Sequence, residues 1–415
     1  MTSTQGKEKG QSRPMRDAAI DVVRRLVKEG YTAYFAGGCV RDRLLGITPK
    51  DYDIATDARP EQVAALFSNA QMVGMSFGVT LVPQGGHRFD VAAFRSDGQY
   101  EDHRHPSSIE YVGETEDASR RDFTINGLFE DPVAEKIIDH VGGQADLKAR
   151  LIRAIGSAQD RFEEDHLRML RAVRFQARFG FALEAKTERA ITQLAPALSG
   201  ISRERIGQEI NLMLGHEGRA IAVAQLQRLG LDGPVLKDES RKGAPMRVSR
   251  MKPNTEAIIA LAAWLLDRHE PGIDLSAQVH QYAEALMLSN ADHRMLDSII
   301  TIHAALTSES DQPRAWDGLE MAQQKRLAVK LGFLSALAIL QAVDSPGAMA
   351  IRARVDELER TGLQPEPFLN GTDLIGMGLE PSERTGQVLA EIYDAQLEQR
   401  VTDRDSALEM AHRLI

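Results

Sequence analysis

The sequence predicts an α+β protein, with a mixed α/β head over residues 15–150 and a helical chain from there to the end. Three observations predict it. Short β-prone runs alternate with helical stretches through the first 150 residues. Strand signals then almost vanish, and apolar residues recur at helical spacing, as at Leu167, Leu170, Val173 and Ala177. At 415 residues the chain is also too long for one core, so several domains are expected.

The first fourteen residues are polar and lack an apolar h-region, which reads as a disordered leader rather than a signal peptide. In the head, residues 31–36, 51–55, 79–83, 89–94 and 137–139 read as strands, and 15–28, 40–45 and 60–67 as helices. Beyond it, helical segments are expected over 151–215, 216–345 and 346–415. The Gly-, Pro- and charge-rich stretch 231–254 reads as a loop or boundary, and Asp344-Ser345-Pro346-Gly347 as a second break.

Composition narrows the class. The chain is 43% hydrophobic and 27% charged, and no run approaches the roughly 18 apolar residues of a membrane span. Its longest uncharged helical candidates, 257–266 and 331–343, read as core helices. A single cysteine, Cys39, excludes an internal disulfide framework and fits a reducing cytoplasm. The net charge of −10 divides unevenly, with −4 over residues 1–150, +5 over 151–250 and −11 over 251–415. The middle segment is thus either a solvated basic face or the place that draws a polyanion.

Three features of the head carry chemistry. The run Tyr34-Phe35-Ala36-Gly37-Gly38-Cys39-Val40-Arg41-Asp42 passes from a strand through two glycines into a helix. Gly37 and Gly38 let backbone approach a ligand closely, the helix start offers N–H groups to an anion, and Arg41 adds a positive charge. Gly46 is placed to end that helix. By itself the pattern also suits a plain strand–helix turn. Next, Asp51 and Asp53 stand two apart in a predicted strand, so both project from the face opposite Tyr52 and Ile54. Two adjacent carboxylates repel unless a cation neutralises them, and hard oxygen ligands favour Mg²⁺. Alone, the pair equally suits a solvated strand end. Third, Asp90 interrupts the apolar run 89–94, where a carboxylate needs a cation, hydrogen bonds or an exposed strand end; a metal shared with Asp51 and Asp53 or a salt bridge to Arg88 or Arg95 would serve.

Taken together, these runs carry a family resemblance. Gly37-Gly38-x-Val40-Arg41-Asp42, Leu44-Leu45-Gly46 and Asp51-x-Asp53-x-x-Thr56 resemble the signature of class II tRNA nucleotidyltransferases and bacterial poly(A) polymerases, within the DNA polymerase beta superfamily. The likeness continues through Arg120-Arg121-Asp122-Phe123-Thr124-Ile125-Asn126, Glu164-Asp165-His166-Leu167-Arg168, and more weakly Asn370-Gly371-Thr372-Asp373-Leu374 and Asp394-Ala395-Gln396-Leu397. It implies a nucleotidyltransferase head followed by a neck at 151–215, a body at 216–345 and a tRNA-binding tail at 346–415. It implies metal binding by Asp51 and Asp53 with Asp90 as a third acid. Arg41, Arg120 and Arg121 fall near the triphosphate, and Asp122 and Asn126 near the sugar. The activity implied is CCA addition to the 3′ end of tRNA from CTP and ATP, with Mg²⁺, and contact with the acceptor and elbow regions of the RNA.

The resemblance also makes the neck helix the base selector. Asp165 and Arg168 are three apart, so on a helix they share a face, with Arg171 and Arg174 continuing the row. An ordinary i,i+3 ion pair fits that spacing too. As a template, a carboxylate accepts from the exocyclic amino group of cytosine or adenine while a guanidinium donates to the ring nitrogen; uracil and guanine present the reverse pattern.

Several features bear on the product. Poly(A) polymerases of this class usually carry Gly-Arg-Arg-Phe, where this chain has Gly74-Met75-Ser76-Phe77-Gly78. The loop that CC-adding members typically lack resembles the intact segment 97–106, so the final A is expected; a specialist A-adding enzyme would keep that loop as well. A small-molecule nucleotidyltransferase would lack the Glu-Asp-x-x-Arg segment, and a catalytically dead RNA-binding module would have lost a carboxylate. There is no clear His-Asp phosphohydrolase motif in the C-terminal half.

Overall fold

A computed structural model describes residues 13–73, 78–97, 109–239, 243–269, 273, 275–307, 314–343 and 346–415. Most of the leader, most of the 74–78 and 97–106 segments, and Asp344-Ser345 of the second break lie outside the described residues. The chain divides into two compact units, Met1–Ser202 with Gln225–Pro234, and Arg203–Ala224 with Val235–Ile415.

The first unit opens with helix α1 (Met15–Lys28), whose apolar stripe Ala18, Ala19, Val22, Val23 and Leu26 is fully buried. Strand β1 (Ala33–Ala36) leads through Gly37 into α2 (Gly38–Leu44), which Gly46 ends at φ 72°. Then follow β2 (Ile54–Thr56), α3 (Pro60–Leu66), β3 (Gln71–Val73), β4 (Val79–Gln84), β5 (His87–Ala93), β6 (Arg95–Asp97) and β7 (Ile109–Tyr111). Next come α4 (Glu114–Ser119), a 3-10 turn (Thr124–Asn126), β8 (Leu128–Asp131), β9 (Lys136–Asp139), α5 (Gly143–Ala149) and β10 (Leu151–Ile152). The unit continues with α6 (Ala158–Glu164), α7 (Leu167–Phe179), β11 (Ala182–Leu183) and α8 (Ala185–Leu194).

Seven strands form one mixed sheet in the order β3-β4-β5-β2-β1-β8-β9. Only β2 and β5 run parallel, in the register Ile54↔Val91, Ala55↔Ala92 and Thr56↔Ala93. Side chains alternate across the sheet. Tyr34, Ala36, Ala55, Phe94 and Phe129 pack on one face beneath Ala118 of α4, while Phe35 turns away and meets Tyr52 at a ring separation of 5.0 Å.

Helix α1 and the five expected strands correspond closely to the sequence reading. The 51–55 strand begins three residues later than expected, at Ile54, although Asp53 still accepts the Ala36 N–H through its carbonyl at 2.9 Å. Strand β8, between β1 and β9, was not among the expected runs; it ends on two acids, and its Glu130 is buried against Arg16 and Arg43 at 3.2 and 2.8 Å.

The second unit is helical throughout its described residues. Its core includes Trp264, Leu296, Ile299, Trp316, Phe333 and Leu340, and a separate cluster gathers Leu369, Leu374, Val388, Ile392 and Ala407. The 231–254 stretch is not plain loop: it holds short helices Asp232–Leu236 and Met246–Arg250, the second anchored by Asp267, whose carboxylate accepts the Arg247 and Val248 N–H groups. No helix among the described residues is long and apolar enough to cross a membrane.

One packing point beside the 3-10 turn is unforgiving. A Cβ on Gly143 would lie 2.9 Å from the Thr124 carbonyl carbon and closer still to its oxygen, with the Leu128 side chain at 3.0 Å. Backbone cannot yield there as a flexible side chain would. Gly143→Ala is expected to destabilise the first unit by about 1–3 kcal/mol, read as a lower calorimetric transition; an unshifted transition would contradict this packing.

Candidate active site

The site is built where β1, β2 and β5 meet α4. Burial alternates through the approach to β2, with Asp51 and Asp53 exposed and Tyr52 and Ile54 buried, so the two carboxylates do share a face. Asp90 is exposed as well. It is not an interior acid but stands on the exposed side of β5, opposite Leu81 of β4, while Phe89 and Val91 point into the core. Extending the β2–β5 register by one residue sets Asp90 beside Asp53.

These acids feel one another. The Asp53 carboxyl reaches solvent yet is pushed up to about 6, first by the protein packed around it, then by Asp51, then by Asp90, with Arg121 opposing. A carboxyl raised by two neighbouring carboxylates suits a site that a cation neutralises. The donors are hard oxygens, which fits a divalent ion such as Mg²⁺ or Mn²⁺ rather than a thiolate-bound metal. Among the described residues no three acid, histidine or cysteine side chains enclose an ion by themselves; an ion here takes further ligands from water and substrate. Nearby Cys39 is buried, donates to the Ala36 carbonyl at 3.4 Å, and has its thiol pushed up to about 12 by burial, so it packs rather than reacts.

Arg121 explains the first glycine. Gly37 has φ 69°, and a Cβ there would stand 2.8 Å from Arg121 Nη1. The close approach anticipated for a ligand is made, in this chain, by a guanidinium. Arg121 also lies over the Phe129 ring at 5.0 Å. The sequence reading overlooked what holds it: Asp117, 1% exposed on α4, accepts from both Arg120 and Arg121. The signal was an acid three and four residues ahead of two arginines, the spacing of helical neighbours.

Arg41 and the Asp122–Asn126 segment form one buried network. Arg41 donates to Asp42 at 2.7 Å and to the Asn126 side-chain oxygen, and lies over Phe175 and Phe179 at 5.1 and 4.8 Å. It is 4% exposed, so it supports the site from beneath. Asn126 donates to Asp122 at 2.9 Å, and Asp122 also receives the Phe123 N–H and Arg171 at 2.8 Å each. Arg178 reaches Asp42 at 2.8 Å. Arg171 and Arg174 lie on the half-buried side of α7, both over Phe175.

The Asp165–Arg168 geometry differs from the single-helix reading. Asp165 adopts extended backbone (φ −149°, ψ 101°) between α6 and α7, where its carboxylate accepts the Leu167 N–H at 3.1 Å. His166 follows and donates from Nδ1 to the Phe162 carbonyl at 2.7 Å. Arg168 is on α7 and pairs with Glu164 at 2.6 Å. Aspartate caps helix starts readily, and this break lets it do so. The expected shared helical face is therefore absent, though the two residues remain at one junction.

Comparison with known proteins identifies the family. The family model described as the poly(A) polymerase head domain matches residues 33–153, and one described as "Probable RNA and SrmB- binding site of polymerase A" matches 180–238. A CCA-adding enzyme of Lactobacillus delbrueckii subsp. bulgaricus is 34% identical over 400 residues, 94% of this chain and 96% of the relative. A CCA-adding enzyme of Geobacillus stearothermophilus is 38% identical over 305 residues, 73% of each chain. Among solved structures, the Bacillus stearothermophilus CCA-adding enzyme in complex with CTP is similar at a TM-score of 0.74 and 29% identity, covering 97% of this chain and 98% of that one. The Thermotoga maritima CCA-adding enzyme complexed with tRNA_CCA shares the fold, with a TM-score of 0.69 at 20% identity over 95% and 94% of the two chains.

The network has a pH signature. Burial alone raises the Asp122 carboxyl, but Arg171, Asn126 and the Phe123 N–H outweigh it and leave the group below its ordinary 3.8. A depressed folded value gives stability that is present above 3.8 and lost as pH falls through the folded value. Asp122→Asn is expected to lower amide-exchange protection of Leu167–Phe179 by about 1–3 kcal/mol at neutral pH, with the gap from the parent closing as pH falls below 3.8. A gap that persists unchanged into that acid range would remove charge from the explanation.

Proposed function

Because this chain belongs to the family of CCA-adding enzymes, we propose that it adds C, C and A in turn to the 3′ end of tRNA from CTP and ATP, releasing pyrophosphate without a nucleic-acid template. The observation that carries this reading is the convergence of the Asp53 carboxyl, the Arg121 guanidinium and the Gly37 backbone beside the Asp122–Asn126 network. Acids for a cation thus stand next to cations for a phosphate chain. We take 151–215 as neck, 216–345 as body and 346–415 as tail, with acceptor and elbow contacts beyond the head. We place the enzyme in the cytoplasm, where a lone thiol stays reduced.

In this mechanism the RNA 3′-hydroxyl attacks the α-phosphate in line and pyrophosphate leaves. Asp51 and Asp53 would hold Mg²⁺, with Asp90 adding negative charge beside them. When bound, that ion offsets the charge that develops on the transferring phosphate. Arg120 and Arg121 take the leaving pyrophosphate oxygens, since fixed guanidiniums aimed at developing charge favour the transition state over the ground state. Asp122 and Asn126 orient the ribose, while Gly37 and Gly38 keep the strand–helix turn open to the triphosphate and Arg41 braces it from below. Asp165 and Arg168 read the incoming base from the junction of α6 and α7, and Arg171 and Arg174 follow along α7. Phosphoryl transfer asks little covalent chemistry of the protein, so positioning dominates.

The product is tested with tRNAs ending at the discriminator base, at C and at CC, each given CTP, ATP or both. Completion of CCA from the shortest substrate is expected; extension only from CC would identify an A-adding enzyme, and long A tracts on varied RNAs a poly(A) polymerase. In the same assay Asp51→Ala and Asp53→Ala are each expected to abolish incorporation while the first unit melts as before; near-normal incorporation by both would refute their role. Asp165→Ala and Arg168→Ala are expected to lose about 1–3 kcal/mol of preference for CTP and ATP over UTP and GTP. Unaltered selectivity in both would sink the base-reading assignment.

A further inference from the structure

Asp117 is the most deeply buried of the acids around the site, and a carboxylate at 1% exposure must be neutralised where it stands. Its two oxygens serve two different arginines. Oδ1 accepts from Nε and Nη2 of Arg120 at 2.9 and 2.8 Å, and Oδ2 from Nη2 and Nε of Arg121 at 2.9 and 3.3 Å. Oδ1 also accepts the Arg95 N–H at 3.3 Å, bringing the first residue of β6 into the cluster. Each guanidinium is gripped along one edge, which fixes its plane as well as its position. The Phe129 ring and the bare Gly37 backbone then confine Arg121 from two further directions. The carboxyl stays well below the usual aspartate value because the two arginines outweigh the effect of burial.

We propose that Asp117 is a positioning residue for nucleotide binding, holding Arg120 and Arg121 side by side in the orientation that receives a triphosphate and its pyrophosphate product. The inference rests on the assignment of those two arginines to the triphosphate. Adjacent guanidiniums repel, and each long side chain has many rotamers. A shared carboxylate offsets the repulsion and removes that freedom before ligand arrives, so less order has to be imposed on binding. Asp117 itself touches no reacting atom; its effect passes entirely through the arginine pair.

The test compares Asp117→Asn, which keeps the shape and removes the charge, with Asp117→Glu, which keeps the charge one methylene away. Steady-state extension of a tRNA ending at the discriminator base gives KM for CTP and kcat, product inhibition gives Ki for pyrophosphate, and filter binding gives tRNA affinity, all on the full chain. Asp117→Asn is expected to raise both KM and Ki about tenfold, with a smaller change in kcat and unchanged tRNA affinity; Asp117→Glu should recover part of the loss. In an Arg120→Ala, Arg121→Ala background, Asp117→Asn should add nothing further. Unmoved KM and Ki, an equal loss of tRNA affinity, or full additivity with the arginine changes would each overturn the proposal. If the arginine changes themselves leave KM and Ki unmoved, their assignment to the triphosphate falls and this inference with it. If they raise both while Asp117→Asn does not, the inference alone falls. Should Asp117→Asn not fold, Asp117→Glu decides by the same measurements.

Discussion

Arg171 and Arg178, both on α7, terminate one hydrogen-bonded chain that runs through the head: Arg178 to Asp42, Asp42 to Arg41, Arg41 to Asn126, Asn126 to Asp122, and Asp122 back to Arg171. The four middle members are at most 8% exposed. Within the Arg41–Asp42 pair, buried on both sides, removing one side chain outright leaves the other poorly compensated, a loss of about 3–5 kcal/mol. Apolar packing of α7 tolerates small adjustments, whereas this chain permits few. The arrangement of the sheet, the Asp122–Asn126 segment and α7 therefore depends on a polar constraint as much as on the Phe123–Phe175 contact, with ring centres 5.8 Å apart, that lies beside it.

Against that neutralised interior, the three acids of the sheet are a deliberate imbalance. Asp117, Asp122 and Asp42 each have arginine partners within 3 Å. Asp53 instead has Asp51 and Asp90 as neighbours, and its carboxyl rises accordingly. A fold that has so many arginines at hand, yet leaves this face negative, keeps local charge in reserve for a cation that arrives with substrate. The arginine nearest to Asp53 in effect, Arg121, is committed to Asp117 and so does not collapse onto the acids.

Much of this was legible in the residues. Period-two alternation gave the shared face of Asp51 and Asp53, and helical periodicity gave α1 and α7, because both patterns follow directly from burial on one side. Three things were not legible. Asp90 looked interior because its neighbours are apolar, yet alternate positions of a strand face opposite ways and only the sheet register decides which side is open. Asp165 looked helical from its spacing to Arg168 and from the family resemblance; the break is a tertiary outcome, stabilised by a cap and by the His166 contact to Phe162. Asp117 was passed over although its i,i+3 and i,i+4 spacing to Arg120 and Arg121 is local, whereas the closure of Gly37 by Arg121 depends on contacts between α4, β1 and β8, which no local spacing encodes.

Under the proposed roles, the contacts between Arg120 and the start of α7 bear on base selection. The Arg120 carbonyl accepts from Arg161 at 3.2 Å and, at the long limit of 3.5 Å, from Arg168. Arg161 and Arg168 both also pair with Glu164. The guanidinium proposed to meet the base is thus tethered to the backbone of the residue whose side chain is proposed to meet the phosphates. If a uracil or guanine displaces Arg168, the disturbance reaches Arg120 through one hydrogen bond. A misplacement of about 1 Å at the reacting centre can lower rate by about a hundredfold, more than mismatched base contacts alone provide at the low end of their 1–3 kcal/mol range. On this reading, an enzyme without a nucleic-acid template rejects the wrong base twice, once in binding it and again in failing to align its triphosphate.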